Sequence, residues 1–251
     1  MTGSTEGRRG SNGRGEGTPL TIGTTARGGP WRLQTYQVGT LPVVNHYLER
    51  LRLRETLERH LPPDDPRQTI PTWRIVLLLV RNVLVSRAPL YAVPEWAARY
   101  GPELFDLYHH DLESLRDDRL GACLARLFQA TTPALLLAVV RRALDEFQVS
   151  LAELHNDSTS VALHGDYAAA SGPRQVGERR QPAITWGHSK DHRPDLKQLL
   201  FTLTVIDDGG VPVCFQVDDG NTFDDVTHRR TWDLLRQLTD NSSEAFCVTN
   251  L

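Results

Sequence analysis

The stretch LHNDSTSVALHGDY, residues 154–167, decides the fold of the second half of the chain. Upstream of it apolar residues recur at helical spacing, whereas here the spacing becomes two, which predicts a β-strand over residues 154–163. The odd-numbered positions from Asp157 to Leu163 share one face of this strand, which ends at Gly165. A carboxylate on a strand that enters a hydrophobic core is costly unless it has a partner or a cation. Asp157 is therefore a candidate metal ligand.

Two apolar runs follow, residues 199–206 and 211–217, and they flank Asp207-Asp208-Gly209-Gly210. This pattern predicts a β-hairpin in which the two acids are turn residues. Asp218 and Asp219, which precede a glycine, are also more simply turn residues than ligands. We expect the glycine-, proline- and charge-rich residues 168–182 to form a loop.

The sequence GNT, residues 220–222, predicts a turn into a helix that begins near Asp224 and is capped by it or by Asp225. Three apolar residues are expected on the buried side of that helix: Trp232, Leu235 and Leu238. A last short strand is predicted over residues 245–249.

From residue 41 to residue 151 the pattern is helical. Helices are predicted over residues 41–60, over 72–86 with Ile75, Leu78, Leu79 and Val83 buried, from Asp117 or Asp118 onward, and from Pro133 after an N-cap at Thr132. Arginines on the outward faces, Arg119, Arg126, Arg141 and Arg142, could contact DNA, although surface arginines on amphipathic helices are ordinary. A packing role and a DNA-binding role both stay open for this region.

Residues 1–35 carry nine of the 19 glycines and show no apolar periodicity. Such a composition cannot bury enough surface to offset the entropy of ordering, so we predict a disordered tail.

Composition limits the class of protein. The longest apolar run, residues 75–80, is far too short to cross a bilayer, so we predict no membrane partner and a cytoplasmic location. The net charge of −3 disfavours a general DNA binder, so that any affinity for DNA must come from local basic patches. Cys123, Cys214 and Cys247 lack metal-ligand spacing and are expected to fill core positions.

Four motifs occur in a characteristic order: DDRLG at residues 117–121, NDSTS at 156–160, GHSKDHRPDLKQ at 187–198 and GNT at 220–222. Together they resemble the DDE-type transposases of bacterial insertion sequences, of the insertion-sequence-four-like group with a ribonuclease-H-like core. The resemblance covers roughly residues 36–240.

This resemblance implies an α+β chain: an N-terminal all-α helical domain over residues 36–150, followed by an incomplete ribonuclease-H-like mixed α/β domain over residues 151–251. It implies double-stranded DNA at the element's terminal repeats as partner, together with a full-length transposase or a second copy of the chain. It also implies metal-dependent DNA cleavage and strand transfer in transposition, with Mg²⁺ or Mn²⁺ as cofactor.

The resemblance also implies the site. In the family the first Asp lies on strand one, the second follows the fourth strand, and a Glu comes from a helix well downstream. Asp157 matches the first position, and Asn250, which ends the run FCVTN, stands at the second. An amide binds a divalent ion weakly, and the sequence ends at Leu251 before a third ligand. We therefore expect a truncated or frameshifted transposase that is inactive alone; the alternatives are a non-enzymatic DNA-binding regulator and an inactive pseudogene product.

A basic stretch surrounds the third motif. Five of its residues are candidate DNA contacts: Lys190, Arg193, Lys197, Arg179 and Arg180. The alternative is a solvated loop in which Asp191 and Arg193 satisfy each other. His155 and His164, which flank the first strand, are interpreted as core or hydrogen-bonded residues rather than metal ligands.

Overall fold

The computed structural model describes residues 34–130, 133–172, 174–188, 192–223, 229–233, 236 and 246–249. The chain divides into two units, Met1–Gln37 and Val38–Leu251. In the second unit helices come first and strands follow, which confirms the prediction of an α+β chain. The predicted tail falls almost entirely outside the described residues, and the predicted division at residue 150 stays a prediction.

The helices of the described part have these bounds: α1 Leu41–Arg50, α2 Leu53–His60, α3 Thr72–Val85, α4 Val93–Ala97, α5 His109–Ser114, α6 Asp117–Ala130 and α7 Pro133–Phe147. Short 3-10 segments occupy Leu90–Ala92, Pro102–Phe105, Ala168–Ala170 and Asp208–Gly210. Residues 229–233 are also helical. In the residues that the structure describes, no single helix is long and apolar enough to cross a membrane, and only two bent pairs of helices reach that length and composition together.

Helix α3 forms the centre of the helical region. It packs against α1, α2 and α6, and its residues Ile75 and Leu78 are fully buried. The predicted bounds of this helix are confirmed, but Val83 is 60% exposed and not buried as predicted. Most of residues 72–79 of α3 are buried, whereas Val83 and Leu84 near its end are exposed, so the apolar spacing does not by itself show how far along the helix the core extends.

The predicted single helix over residues 41–60 is wrong, because the chain forms α1 and α2 with a break between them. Arg52 at the break has a left-handed backbone conformation, with φ 48°. An L-residue with a side chain rarely adopts this conformation, so the pattern of apolar residues alone gave no sign of it. The break turns the buried Leu57 of α2 toward the same core that Leu41 of α1 enters.

The strands are β1 Glu153–Leu163, β2 Arg174–Val176, β3 Arg179–Gln181, β4 Lys197–Ile206, β5 Pro212–Asp219 and β6 Phe246–Thr249. Four of them form one sheet in the order β5-β4-β1-β6, while β2 and β3 form a separate two-stranded ribbon. β4 is antiparallel to both β1 and β5, and β6 is parallel to β1. The hairpin of β4 and β5 and the last short strand confirm two predictions, whereas the ribbon lies in a segment that was predicted to be a loop.

Helix α7 covers one face of this sheet. Its Val140 packs against Leu154 of β1, Ile206 of β4 and Val213 of β5. Farther along β1, the same face carries the buried side chains of Asn156, Ser158 and Ser160. Asn156 is not left unpaired, since its Oδ1 accepts a 2.7 Å hydrogen bond from Thr204 Oγ1 across the strands.

Asp157 lies on the opposite, exposed face of the sheet. The alternation of β1 is as predicted, but the expectation that Asp157 enters the hydrophobic core is wrong. A period of two defines two faces without saying which one is covered, and here the covered face is the one that carries Leu154, against which α7 packs. The carboxylate is consequently exposed to solvent and does not need a cation in order to persist.

Candidate functional site

The exposed face of the sheet around Asp157 forms a shallow depression. It is lined by residues 155–159 of β1 and by Phe201, Leu203 and Val205 of β4, with a volume of about 260 Å³. In the strand register Asp157 lies opposite Leu203. Asp157 Oδ1 accepts a 2.8 Å hydrogen bond from the backbone N–H of Ser158. One carboxylate therefore stands open to solvent on a face that it shares with His155, Thr159 and the apolar residues of β4.

β6 ends beside Asp157. The parallel pairing of β1 and β6 places Thr249 opposite Asn156, the residue that precedes Asp157. The next residue in the sequence is Asn250, the other predicted site residue, which lies outside the described residues. Within the part of the chain that the structure describes, no group of three or more His, Cys, Asp or Glu side chains is arranged to hold a metal.

His155 lies on the same face as Asp157, two residues earlier on β1, which corresponds to about 7 Å along the strand. Its Nε2 is 3.4 Å from Asp207 Oδ1 and 3.6 Å from Glu153 Oε1. His155 therefore lies between two carboxylates at the surface, and its interpretation as a hydrogen-bonded residue rather than a metal ligand stays a prediction. His164, just after β1, is exposed.

Two of the sequence motifs meet in the structure. Gly187 of GHSKDHRPDLKQ lies so close to Gly220 of GNT that a Cβ on Gly187 would be 1.7 Å from the Gly220 carbonyl oxygen. Gln198, the last residue of the longer motif, donates from Nε2 to the carbonyl oxygens of His188, at 3.1 Å, and Gly220, at 2.8 Å. We call Gly187, Gln198 and Gly220 the glycine clasp.

The glycine clasp closes the basic loop of residues 187–198 at its base. Gln198 is only 2% exposed, and its backbone exchanges hydrogen bonds with Thr185. Sequence reasoning noted these residues as motif members but assigned them no role. The signal that was present is a glycine at the start of each of the two motifs, since glycine is required where two backbones approach closely.

Of the five candidate DNA contacts, Lys190 lies outside the described residues, and the other four are engaged within the protein. Arg193 binds Asp195 through two hydrogen bonds, Nε to Oδ1 at 2.8 Å and Nη2 to Oδ2 at 2.7 Å. The hydrogen bond from Arg193 lowers the pKa of Asp195 to about 2. Asp191, the partner expected for Arg193 in the alternative of a solvated loop, lies outside the described residues, so that pairing stays a prediction.

Lys197 is 8% exposed, in contrast to the solvent-facing cation that was predicted. Its Nζ donates to Ser171 Oγ at 2.9 Å and to the carbonyl oxygen of Asp166, and it lies 4.8 Å from the ring centroid of Trp186. Lys197 is the first residue of β4, and burial there keeps its ammonium from reaching a phosphate.

Arg179 and Arg180 are brought together in one cleft of about 500 Å³, where Arg230 and the rings of Phe128 and Phe215 also lie. Arg179 Nη1 donates to the carbonyl oxygen of Phe128, and its guanidinium lies 4.8 Å from the ring of that residue. The sequence did not associate Arg230 with these two arginines.

The acidic pair at the end of β5 binds two of these arginines. Asp219 accepts hydrogen bonds from Arg180 and from the backbone N–H of Ala183, and Asp218 accepts one from Arg230 at 2.7 Å. Partial burial raises the pKa of Asp219, but the hydrogen bonds from Ala183 and Arg180 outweigh it, so that its pKa lies below its ordinary value. The predicted turn role holds for Asp219, whose carbonyl oxygen accepts from Thr222 N, but both acids also form ion pairs.

The helical region has a counterpart among known families. A family described as a domain of unknown function, DUF4277, matches residues 33–141. This part of the chain resembles that family. The match includes α1 to α6 and the first part of α7, and it ends before β1, so it does not reach Asp157. No curated protein and no solved structure matches the chain.

Proposed function

We propose that the chain is a protein of the DDE-type transposases of bacterial insertion sequences, with a helical DNA-binding region and strands of a ribonuclease-H-like catalytic domain. The observation that carries the proposal is the position of β6. In the family that the motifs resemble, the first Asp lies on strand one and the second follows the fourth strand. In the main sheet Asp157 lies on the first strand in chain order, and the fourth strand, β6, is paired with that first strand.

The exposure of Asp157 supports the same proposal. A carboxylate that binds a catalytic metal ion and a DNA phosphate must be reached from solvent, and the open depression around Asp157 permits this. The ions would be Mg²⁺ or Mn²⁺, because both prefer carboxylate oxygens. Asp157 would be one ligand, and the residue at position 250 is an amide. The 251-residue polypeptide by itself is then expected to bind DNA without cleaving it.

Binding to DNA is the testable part of this function. The polypeptide should bind duplexes that carry the sequences flanking its coding region, with an affinity that falls as salt rises because counterions are released from phosphates. A gel-shift titration at several salt concentrations, with a scrambled duplex of equal length as control, measures this. Absence of binding at low salt would refute the proposal, and equal affinity for both duplexes would refute recognition of the element's ends.

A non-enzymatic regulator is the second candidate function, and the amide at position 250 favours it. Such a protein would keep the helical region and compete with full-length transposase for the ends of the element. Cleavage assays in which full-length transposase acts with and without added polypeptide test this function, since a regulator lowers the rate of cleavage.

A further inference from the structure

The register of β1 against β4 is not fixed by a turn. The two strands are joined by residues 164–196, whereas a hairpin fixes its register through a connection of a few residues. Apolar contacts specify the register only weakly, because the fully buried residues of β1 are Leu154 and three polar ones, Asn156, Ser158 and Ser160. A slip by one residue would turn the buried face outward. A slip by two residues keeps the two faces and is therefore the competing arrangement.

A buried hydrogen bond distinguishes the observed register from both slips by two. Asn156 and Thr204 lie opposite each other and are 2% and 1% exposed, and Thr204 Oγ1 donates to Asn156 Oδ1 at 2.7 Å. One slip would set Asn156 opposite Ile206, and the other would set Leu154 opposite Thr204. Both would place a buried polar side chain opposite an apolar one, which costs stability when the polar group loses its hydrogen bond.

Asn156 also lies where three strands meet. It is paired with Thr204 of β4 on one side and with Thr249 of β6 on the other, and Asp157 is the next residue along β1. A slip by two residues would move Asp157 by about 7 Å along β4. Fixing a register is the best-attested role of a buried polar group, so this pair is suited to hold Asp157 in place.

We propose that the buried pair of Asn156 and Thr204 sets the register of β1 and thereby places Asp157 beside the end of β6. This inference rests on the proposed function, because it assigns positioning residues to the site that combines Asp157 with position 250. Both side chains lie on the covered face of the sheet, opposite to the face of Asp157. They act through the backbone of β1 and contact neither metal nor DNA.

Two substitutions at position 156 test the pair. Asn156→Leu removes the acceptor, and it favours one slip by two, in which the new leucine would lie opposite Ile206 and Ser158 opposite Thr204. Asn156→Thr is the conservative variant, because its hydroxyl can accept a hydrogen bond from Thr204 and threonine suits a strand.

A change at the donor keeps the test valid if Asn156→Leu does not fold. Thr204→Val removes the hydroxyl and keeps the shape of the side chain. The matched control is Thr72→Val, because Thr72 is also 1% exposed and its hydroxyl donates to Asp64, but it lies in α3 of the helical region.

The register and the site are measured separately in the full chain. Nuclear Overhauser effects between backbone protons of Asp157 and Leu203, which are partners in the observed register, report the register. Electron paramagnetic resonance of free Mn²⁺, with every variant also made in the Asn250→Asp background, reports the site.

In Asn156→Leu the backbone contact of Asp157 should move from Leu203 to Val205. Asn250→Asp alone should raise the affinity for Mn²⁺ on the order of tenfold, because a second carboxylate would share the ion. That gain should be lost with Asn156→Leu and reduced with Thr204→Val. It should be retained with Asn156→Thr and with Thr72→Val.

Three results would overturn the inference. An unchanged contact between Asp157 and Leu203 in both Asn156→Leu and Thr204→Val means that the pair does not set the register. A slipped register with the gain in Mn²⁺ affinity intact means that the register does not position the site. An equal loss of the gain in Thr204→Val and Thr72→Val means that destabilisation alone is responsible.

Failure of the proposed function gives a different result. If Asn250→Asp alone gains no affinity for Mn²⁺, the proposed metal site fails and the positioning role fails with it. The Overhauser contacts of Asp157 still decide in that case whether the buried pair sets the register.

Discussion

At the residue scale, the close packing of backbone segments restricts which residues can stand at a position more strongly than side-chain chemistry does. Gly220 lies where a Cβ would be 2.1 Å from the carbonyl oxygen of Gln198 and 2.5 Å from that of Thr185. Both neighbours are backbone atoms of paired segments, so neither can move aside without breaking the hydrogen bonds at the base of the basic loop. The glycine clasp therefore depends on the absence of side chains at its two glycines.

We predict that Gly220→Ala destabilises the protein by about 1 to 3 kcal/mol, the cost of forcing extra atoms into a filled space. Gly121→Ala is the control, because Gly121 lies within α6 and a methyl group there would meet no other atom within 4 Å. That change should stabilise the protein by about 1 kcal/mol through helix propensity. Urea unfolding of the three proteins measures both effects, and a Gly220→Ala variant as stable as the wild type would show that the clasp is not tight.

The ion pair of Arg193 and Asp195 gives a second prediction at this scale. Asp195 should titrate with a pKa of about 2, so its interaction with Arg193 is complete above its ordinary pKa near 4 and is lost as the pH falls through 2. In Arg193→Gln the pKa should rise toward the ordinary value. Arg180→Gln, which removes the partner of Asp219, should leave it unchanged. Carbon-13 NMR titration of the carboxylates measures this, and a pKa near 4 in the wild type would contradict the pairing.

At the scale of elements, the break between α1 and α2 concentrates strain at one residue. A left-handed residue with a side chain costs about 1 to 2 kcal/mol relative to a right-handed one, whereas glycine adopts this conformation freely. Arg52 is exposed and adopts it between the two helices.

We therefore predict that Arg52→Gly stabilises the protein by up to about 1 kcal/mol, the gain being reduced by the greater freedom of glycine in the unfolded chain. Glu55→Gly, at an exposed position of α2, should cost about 1 kcal/mol. Thermal unfolding of both variants is the measurement. An equal loss in the two would mean that Arg52 is not strained.

Much of the element order could be predicted from apolar spacing. The starts of α3, α6 and α7, the hairpin of β4 and β5, and the last strand all follow from local patterns. What could not be predicted depends on contacts between distant segments. The buried face of β1 is the one against which α7 packs. Trp232 was predicted to be buried, but it is 49% exposed.

The candidate site was predictable only in part for the same reason. Asp157 could be identified because it is an acidic residue on the strand face that also carries Val161 and Leu163. The sequence did not show that this face is exposed. Lys197 is held by Ser171 and Trp186, and Arg193 is paired with Asp195. A count of charged residues in the sequence does not distinguish a free cation from a paired one.

At the scale of the whole unit Val38–Leu251, helices precede a sheet whose first and last strands in chain order are neighbours. This arrangement places the end of β6 beside Asp157, and it leaves the apolar residues Val161, Phe215 and Val217 of the uncovered face about two-fifths exposed. This position of the end of β6 is the reason for proposing a site that combines Asp157 with position 250.

The central claim is that Asp157 and position 250 are the first two ligand positions of a divalent metal site, and Asn250→Asp tests it most directly. Electron paramagnetic resonance of free Mn²⁺ should show affinity rising on the order of tenfold in Asn250→Asp, because a second carboxylate would share the ion with the first. The double variant Asp157→Asn with Asn250→Asp should lose that gain. Unchanged Mn²⁺ affinity in Asn250→Asp, or a gain that persists without Asp157, would contradict the account.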